Sequence, residues 1–333
     1  MGPDPQTMTL RPFGQLPILA LALMVLAGAA PAVAGSPFAV NALEYPWSAI
    51  GRLNIAGRSY CSGTLVSERH VLTAAHCLYD KVRRRWFNTD EMHFVAGYQR
   101  GAYPLHARVR AAIRADNFGA DKEADYDNDW ALLELTEPIG LKAGWLGTRP
   151  LTHQNLPEFR RPEVALVLAG YRSDRSQLLS VDTGCAIRGF VETGSLFIQL
   201  CAPVHGDSGG PMLAFEDGEA LVIGVTTILI SNSNERLGGA VSSSVLTDGR
   251  NWPKATAAIL AMGFKPATSG HPPPLDSPAI AAPAETIAGI LRVAAPGNTG
   301  ALSQAIESAE RKLGLPVTGK PSVTVLGALL REH

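Results

Sequence analysis

Between about residues 40 and 262, apolar residues occur in many short runs separated by Gly, Asn, Asp or Pro. The runs are rich in β-branched residues, which is typical of β-strands bounded by turns. A sustained 3.6-residue period occurs only at Trp252–Met262, which predicts one helix at the end of this region. An all-β region of this size normally closes its sheets into barrels or sandwiches. The clearest predicted strands are Ser48–Ile55, Gly63–Val66, His93–Val95, Trp130–Leu135, Val164–Leu168, Phe197–Leu200 and Leu221–Thr227.

The composition changes after residue 263. Residues 264–285 are dominated by Pro, Ala and Ser, and such stretches are typical of extended, semi-rigid spacers. Helical patterns then resume up to the C-terminus. We therefore predict a main domain at 35–263, a Pro/Ala-rich linker at 264–285 and a small helical module at 286–333. The helices predicted in the module are Thr286–Val293, Ala301–Leu313 and Ser322–Arg331.

The N-terminus has the layout of a secretory signal peptide. Arg11 precedes an uncharged stretch at residues 16–30, and Ala32-Val33-Ala34 supplies the small residues of a cleavage site. The alternative is a membrane anchor, but the apolar run is shorter than the roughly 20 residues that span a bilayer. We expect residues 1–34 to be a cleaved signal peptide and the mature protein to be secreted or periplasmic.

Composition and charge exclude some classes of function. The chain has 333 residues, of which 46% are hydrophobic and 18% charged, so it can form a packed core. Its formal net charge is −1, which argues against nucleic-acid binding, since that requires a concentrated basic face. The short basic run Arg83–Arg85 is typical of a solvated loop. We expect no nucleic-acid partner.

The four cysteines, Cys61, Cys77, Cys185 and Cys201, fit an oxidising compartment and allow three pairings. Local pairing, Cys61 with Cys77 and Cys185 with Cys201, is the simplest. Each bridge would close a loop of about 15 residues, for which chain entropy predicts a stabilisation of roughly 3 kcal/mol. The CxxC and HExxH spacings of metal sites are absent, so we expect disulfides, with no metal or organic cofactor.

Two segments carry the residues of nucleophilic catalysis. His76 lies in HVLTAAHC (70–77), beside a cysteine that would brace it, as a rigidly held general base requires. Ser208 lies in GDSGGP (206–211). A serine hydroxyl needs a base to take its proton and donors to stabilise the oxyanion that forms. The glycines leave room for a substrate carbonyl, and the N–H groups of Gly206 and Ser208 are the expected oxyanion donors.

Three acids, Asp125, Asp127 and Asp129, compete to orient the histidine. Asp129 is the best candidate because it immediately precedes the predicted strand Trp130–Leu135, where a carboxylate is shielded from water. The acidic run also suggests calcium. An EF-hand loop starting at Asp125 would need Gly and Glu where Trp130 and Thr136 stand, so its spacing fails.

These three segments, in the order His, Asp, Ser, resemble the signatures of the trypsin/chymotrypsin family over residues 40–262, and the domain looks closer to compact bacterial secreted members than to animal digestive ones. The resemblance implies an all-β fold of two antiparallel six-stranded β-barrels, here with a small α-helical C-terminal module. It implies a serine endopeptidase that hydrolyses protein or peptide substrates through an acyl-enzyme on Ser208. His76 would be the base and then the acid, and Asp129 would orient it. Cys61–Cys77 would be the bridge around the histidine loop.

The same resemblance suggests a substrate pocket. Ala202, six residues before the nucleophile, would lie at the pocket floor, and an apolar floor cannot neutralise a buried Arg or Lys side chain. Thr226 occupies the place where glutamyl-specific relatives carry a histidine. Thr227 and Leu229 belong to the segment that pairs with the substrate backbone, and His205 would lie at the rim. We expect small or medium apolar side chains before the cleaved bond.

Two further expectations concern activation and the C-terminus. Asp207 is the acid that, in the family, can pair with a newly created N-terminus. A terminus near Val40 and a protease without such a step are both consistent with the sequence. The stretch LGLPVTG (313–319), with its flanking helices, resembles a peptidoglycan-binding repeat and suggests a cell-wall tether. The alternative is a helical appendage that docks on the main domain.

Two other classes of function compete with a protease. A degenerate protease fold that serves only as an envelope-binding scaffold has no need of intact His76, Asp129, Ser208 and Gly206. An esterase of the α/β-hydrolase class would place its Gly-x-Ser-x-Gly motif at an elbow between a strand and a helix and would have the order Ser, Asp, His. That strand–elbow–helix context and that order are both absent here.

Overall fold

In the computed structural model, the described residues are 36–120, 125–191, 194–231, 233–293 and 299–333. The predicted signal peptide lies outside them. Within these ranges, no helix has both the length and the apolar character needed to cross a membrane.

The described residues form a β-rich fold with helices concentrated towards the C-terminus. Apolar and β-branched runs form the strands, as their composition predicts. The strands are β1 (Phe38–Ala39), β2 (Ile50–Ile55), β3 (Ser59–Leu65), β4 (His70–Thr73), β5 (Tyr79–Asp80), β6 (Arg85–Trp86), β7 (Met92–Ala96), β8 (Leu105–Arg114), β9 (Ala131–Leu135), β10 (Gly147–Thr148), β11 (Ala165–Gly170), β12 (Ser180–Thr183), β13 (Ile187–Phe190), β14 (Leu196–Gln199), β15 (Pro211–Glu216), β16 (Glu219–Ser231) and β17 (Arg236–Ser242). The helices are α1 (Gly140–Ala143), α2 (Leu156–Phe159), α3 (Pro253–Ala261), α4 (Ala284–Ile290), α5 (Thr299–Leu313) and α6 (Val323–Glu332).

The first half of the fold is a closed antiparallel barrel of six strands, in the order β2-β3-β4-β9-β8-β7. Leu53 of β2 pairs with Cys61 on one side and with Phe94 on the other, so β2 joins two walls of the barrel. Gly51 of β2 is required by packing, because a Cβ there would lie 2.3 Å from Cζ of Phe94. Closure leaves the barrel without exposed strand edges.

The second half is a nine-stranded sheet in the order β1-β12-β11-β15-β16-β17-β14-β13, with β10 pairing in parallel with β16. β16 is the longest strand of the sheet and pairs with both β15 and β17. The predicted β-rich architecture with a closed six-stranded barrel and C-terminal helices is thus confirmed. Both predicted disulfides, Cys61–Cys77 and Cys185–Cys201, are formed.

The C-terminal helices pack on the second sheet. Residues Val325–Leu330 of α6 are all buried, and α6 contacts β11, β15 and β16 as well as α4 and α5. The Pro/Ala-rich segment 264–285 follows the surface of the main domain. It is anchored by the buried ring of Phe264 and by a backbone bridge between Trp145 and His271. The first barrel, the second sheet and the helices contribute to one large hydrophobic cluster, and a second, smaller cluster lies within the second half of the fold.

Candidate active site

His76 is held at the mouth of the first barrel, in a short 3-10 turn at Ala75–Leu78 that follows β4. Its backbone N–H donates to Oδ1 of Asp129 at 2.7 Å, and its ring Nδ1 lies 2.6 Å from Oδ2 of the same carboxylate. Asp129 is only 4% exposed, whereas the His76 side chain is partly accessible. Both carboxylate oxygens are therefore used to fix the position and orientation of the imidazole, leaving Nε2 as the ring nitrogen available for proton transfer.

The other two acids of the run have different partners. Asp125 accepts hydrogen bonds from the Gly119 N–H at 2.9 Å and from Nδ2 of Asn128 at 2.6 Å. Asp127 accepts from the N–H of Leu196 at 2.7 Å, which ties this loop to β14 of the second sheet. These two carboxylates shape the loop, and Asp129 is the one that meets His76.

Two residues that sequence reasoning missed support this loop. Oδ1 of Asn128 accepts a hydrogen bond of 2.6 Å from the indole N–H of Trp252, just before α3. The Trp252 ring lies edge-to-face on Trp130, with centroids 5.8 Å apart. A buried tryptophan needs a partner for its indole N–H, and Asn128 provides one next to Asp129. The helix that ends the main domain thereby braces the acid of the site.

Ser208 lies in the tight turn between β14 and β15, and glycines on both sides are required by the backbone. Gly206 has φ +91° and Gly209 has φ +78°, values that side chains with a Cβ rarely adopt. A Cβ at Gly206 would lie 2.1 Å from the Tyr171 carbonyl oxygen, and one at Gly209 would lie 2.1 Å from Oγ1 of Thr73. The turn fits only when both positions are glycine.

Along this turn, backbone N–H groups that donate a hydrogen bond within the protein alternate with N–H groups that do not. The N–H of Asp207 donates to the Val204 carbonyl at 3.1 Å, and that of Gly209 donates to the Thr226 carbonyl at 2.8 Å. The N–H groups of Gly206 and Ser208, which alternate with these two along the chain, donate to no acceptor among the described residues. Two neighbouring free donors in a closed turn form the arrangement that an oxyanion requires.

His76 and Ser208 line one cleft of about 830 Å³. The structure brings four of the five predicted pocket residues, His205, Thr226, Thr227 and Leu229, to the same cleft, whereas Ala202 lies outside its lining. No hydrogen bond of 3.5 Å or less joins the Ser208 hydroxyl to His76 within the part of the chain described, as is common for catalytic pairs without substrate. Further residues that line the cleft are Pro203, Val204, Ile228 and Arg236.

One group of potential metal ligands lies at this site, formed by Cys61, His76 and Cys77, whose ligand atoms are within 4.8 Å of one another. The two sulfurs are bonded to each other in a disulfide. Zinc binds the thiolate form of cysteine, so this group is not a metal centre.

Asp207, beside Ser208, is 1% exposed. Its Oδ2 accepts the Val204 N–H at 2.9 Å and lies 3.3 Å from Nη1 of Arg172. Burial raises the pKa of Asp207 to about 6, and the Val204 N–H and the Arg172 charge offset only part of this effect. Asp182, also buried and near Arg172, has its pKa raised to about 6 for the same reason.

A family model described as Trypsin matches residues 35–248. The chain belongs to the trypsin family. Serine protease 23 of Rattus norvegicus is 30% identical to this trypsin-family chain over 185 residues, which are 50% of this chain and 45% of that protein. The trypsin of Phaedon cochleariae is 26% identical over 204 residues, 56% of this chain and 74% of the relative. The match thus spans less than half the length of the first of these relatives.

Solved structures show the same fold. A Glu endopeptidase in complex with MPD superposes with a TM-score of 0.51 at 20% identity, covering 64% of this chain and 95% of that one. The protease Anisep from Arthrobacter nicotinovorans superposes with a TM-score of 0.50 at 17% identity, covering 67% and 100%. The family match and the named relatives support the class predicted from the sequence, a serine-type endopeptidase.

Proposed function

We propose that this chain is an exported serine endopeptidase in which Ser208 is the nucleophile. The Ser208 hydroxyl attacks the carbonyl carbon of the scissile peptide bond while Nε2 of His76 takes its proton. The protonated imidazole then gives this proton to the leaving amine, and the acyl-enzyme is hydrolysed by water with His76 as base again. Asp129 stabilises the imidazolium and keeps Nδ1 in the donor state.

The observation that carries this proposal is the pair of contacts between His76 and Asp129, on the same cleft as Ser208. The buried carboxylate of Asp129 binds both the ring Nδ1 and the backbone N–H of His76, whose imidazole stays partly exposed. This arrangement is that of an oriented base rather than of a structural histidine. The unused N–H groups of Gly206 and Ser208 support the same mechanism, because they would stabilise the oxyanion of the tetrahedral intermediate.

For the fold, we propose that the nine-stranded sheet corresponds to the second barrel of the family. For specificity, we propose small or medium apolar residues before the cleaved bond. Val204, Ile228 and Leu229 give the cleft an apolar wall, and the Leu229 side chain is 38% exposed. Such a wall favours apolar side chains by removing their surface from water.

For the C-terminal residues, we propose that they complete the enzyme by docking on it. The burial of Val325–Leu330 in α6 supports this role, since a detached module would leave that apolar face in water. Peptidoglycan binding through the stretch 313–319 stays a prediction from resemblance. Export fits the two disulfides, which form in oxidising compartments.

The proposal is tested by labelling the purified protein with a fluorophosphonate probe, which reacts with activated serines. We expect labelling of the wild type and none of Ser208→Ala, whereas Ser233→Ala, at an exposed serine, is labelled like the wild type. Mass spectrometry should place the label on Ser208. A wild type that folds but neither takes up label nor cleaves a peptide library would instead support the scaffold function.

A further inference from the structure

Two histidines lie side by side on the outer face of the first barrel. His93 is on β7 and His106 is on β8, and Arg108 of β8 pairs directly with His93. Residues two apart on a strand point to the same face, so His106 lies on the same face as Arg108 and His93. Nε2 of His93 is 3.1 Å from Nδ1 of His106. Two ring nitrogens from neighbouring strands thus meet at the surface of the barrel.

The separation of these two nitrogens fits two ligands of a single metal ion. Zinc binds imidazole nitrogen at about 2.0–2.1 Å, so two such ligands in tetrahedral geometry lie about 3.3 Å apart. With the same bond length, the right angles of a square-planar Cu²⁺ site place them about 2.9 Å apart. The 3.1 Å between the nitrogens of His93 and His106 falls between these values. An ion can therefore bind both rings with only small movements of the side chains.

The contact between the two rings is also compatible with the protonation state that a metal requires. A hydrogen bond between imidazole nitrogens needs a proton on one and a lone pair on the other, so at least one ring is neutral. When both rings are neutral, one tautomer change moves the facing proton to the other nitrogen of the same ring. Both facing nitrogens then present lone pairs to the ion, and the protein loses no proton.

The strands hold the two rings in position without an ion. β7 pairs with β2 as well as with β8, and all three belong to the closed barrel. The ring of Tyr103, just before β8, lies edge-on to that of His106, with centroids 5.6 Å apart. The planes of His93 and His106 are themselves nearly perpendicular, at 83°. A site on rigid strands loses little conformational freedom when it binds a ligand.

A carboxylate in the same cavity is available as a third ligand. The two rings line a cavity of about 530 Å³ together with Glu137, an exposed residue shortly after β9. Oε2 of Glu137 accepts a hydrogen bond from the Thr136 hydroxyl, whereas its Oε1 has no hydrogen-bond partner among the described residues. An exposed side chain changes rotamer readily, so Glu137 can turn towards an ion bound by the rings. Water would complete the coordination, as at other sites with three protein ligands.

The charges around this cavity favour a cation by a small margin. Asp90 and Glu137 are exposed carboxylates in its lining, and Arg108 is the positive charge that opposes them. The third carboxylate, Glu91, is already neutralised by a bidentate pair with Arg85, at 2.6 and 2.7 Å. Two free carboxylates therefore outweigh one guanidinium, and Arg108 is the group that limits the affinity for a cation.

We propose that His93 and His106, with Glu137, bind one divalent transition-metal ion such as Zn²⁺. Imidazole ligands suit Zn²⁺ and Cu²⁺, whereas Ca²⁺ requires six to eight oxygen ligands. The ion would join β7 to β8 and stabilise the first barrel. None of the three residues lines the cleft of His76 and Ser208, so the proposal does not depend on the proposed function.

The first test titrates Zn²⁺ into the purified protein, prepared without a histidine tag, by calorimetry. We expect one ion per chain at this site. His93→Ala and His106→Ala should each weaken binding by at least about 10-fold, the smallest loss usual when even a second-shell partner of a metal is removed. Glu137→Gln should weaken binding less, since both rings remain. Arg108→Gln should tighten binding, because it removes the opposing positive charge.

Two control variants separate this site from other histidines. His153→Ala removes an exposed histidine that stacks on Phe190, outside the cavity, and should bind Zn²⁺ like the wild type. His76→Ala should also bind like the wild type, which excludes the cleft as the site measured. In addition, Zn²⁺ should raise the Tm of the wild type and leave that of His106→Ala unchanged. Circular dichroism checks the fold, and His106→Gln replaces His106→Ala if that variant folds poorly.

The second test uses Cu²⁺ as a spectroscopic probe. The electron paramagnetic resonance spectrum of the 1:1 complex should show coupling to two imidazole nitrogens and should lose one of them in His93→Ala. A wild type that binds neither Zn²⁺ nor Cu²⁺ would overturn the proposal, as would equal affinities in the wild type and both alanine variants. Ca²⁺ binding as tight as that of Zn²⁺ would also overturn it. Fluorophosphonate labelling of Ser208 does not depend on this ion, so its failure would contradict the proposed function alone.

Discussion

The carboxylate of Glu44 caps helix α4 through Thr286, a residue 242 positions away in the chain. Oε2 of Glu44 accepts both the backbone N–H of Thr286 at 2.9 Å and its hydroxyl at 2.7 Å, and Oε1 accepts the N–H of Glu285. Glu44 is fully buried, and burial raises its pKa. The first N–H groups of a helix have no partner inside the helix, so a remote acid here links the start of the main domain to the C-terminal segment.

We predict that Glu44→Ala destabilises the whole protein. The substitution leaves several buried donors without acceptors, for which a loss of about 2–4 kcal/mol in the free energy of unfolding is expected. Denaturant unfolding monitored by circular dichroism measures it. Glu285→Gln is the control, since that side chain lies at the surface and accepts a hydrogen bond from Asn41. Equal stabilities of the two variants would contradict a capping role for Glu44.

A second prediction follows from the packing of α6 on the second sheet. Leu326 is fully buried between the sheet and the other helices. Leu326→Asp should therefore place a charge in the core and lower the free energy of unfolding by more than about 4 kcal/mol. This loss is large enough to unfold the main domain as well. Val317→Asp, at a residue 49% exposed, should be nearly neutral. The measurement is a single thermal transition followed together with peptidase activity. An active, normally stable Leu326→Asp protein would show that the helices form an independent module.

Sequence reasoning predicted those features whose pattern lies within a short stretch of the chain. The helix predicted at Trp252–Met262 is observed as α3, Pro253–Ala261, and the pairing of the four cysteines followed from their separation. Strand β8, Leu105–Arg114, was not predicted. Its first six residues alternate between buried and exposed, but arginines on the outer face interrupt the apolar run by which the other strands were recognised.

Relationships between distant residues were outside the reach of pattern reasoning. The composition of 264–285 predicts an extended chain, but it does not show which surface that chain lies on. That surface is set by a backbone bridge between His271 and Trp145, two residues that are far apart in the sequence. Similarly, the glycine-rich turn around Ser208 is a local pattern, and it predicts a nucleophile there. The hydrogen bond from the Ser62 hydroxyl to that turn and the ion pair of Arg172 with it depend on how β3 and β11 fold together, and no local signal marks them.

A third prediction concerns the choice among the three acids. Asp129→Asn removes the charge that stabilises the imidazolium and favours the wrong tautomer of His76, so kcat should fall by about 10⁴-fold. Asp125→Asn should keep most of the activity, because its contacts with Gly119 and Asn128 only shape the loop. Steady-state kinetics on one peptide substrate compares the two. A larger loss of kcat in Asp125→Asn than in Asp129→Asn would contradict the assignment of Asp129 as the acid that orients His76.

A fourth prediction concerns Gly206, two residues before the proposed nucleophile Ser208. In Gly206→Ala, the new Cβ would meet the Tyr171 carbonyl oxygen at 2.1 Å, so the turn must shift and its donors leave their positions. We expect kcat to fall by at least about 10²-fold. Gly263→Ala is the matched control, because Gly263 also has a positive φ, +75°, but nothing lies within 4 Å of the place that its new methyl group would take. It should lose about 1 kcal/mol of stability and no activity.

The last prediction concerns Asp182, a buried carboxylate on β12 whose Oδ1 has no hydrogen-bond partner among the described residues. Burial raises its pKa to about 6 from the ordinary value near 4, although Arg172 lowers it in part. Between these two values the folded protein binds more protons than the unfolded chain does. Stability contributed by this group is therefore present below about pH 4 and is lost as the pH rises towards about 6. Asp207 titrates in the same direction and also faces Arg172.

Asp182→Asn removes one of these two titrations while leaving Asp207 to pair with Arg172. We expect the stability of the variant relative to the wild type to increase between pH 4 and pH 7, with a gain of about 1–3 kcal/mol, since each unit of difference between the folded and unfolded pKa corresponds to about 1.4 kcal/mol. Denaturant unfolding across this range measures it, and Asp174→Asn, on the exposed side of Arg172, provides the comparison. A relative stability that decreases with pH would mean that Asp182 stabilises Arg172 as an ion at neutral pH.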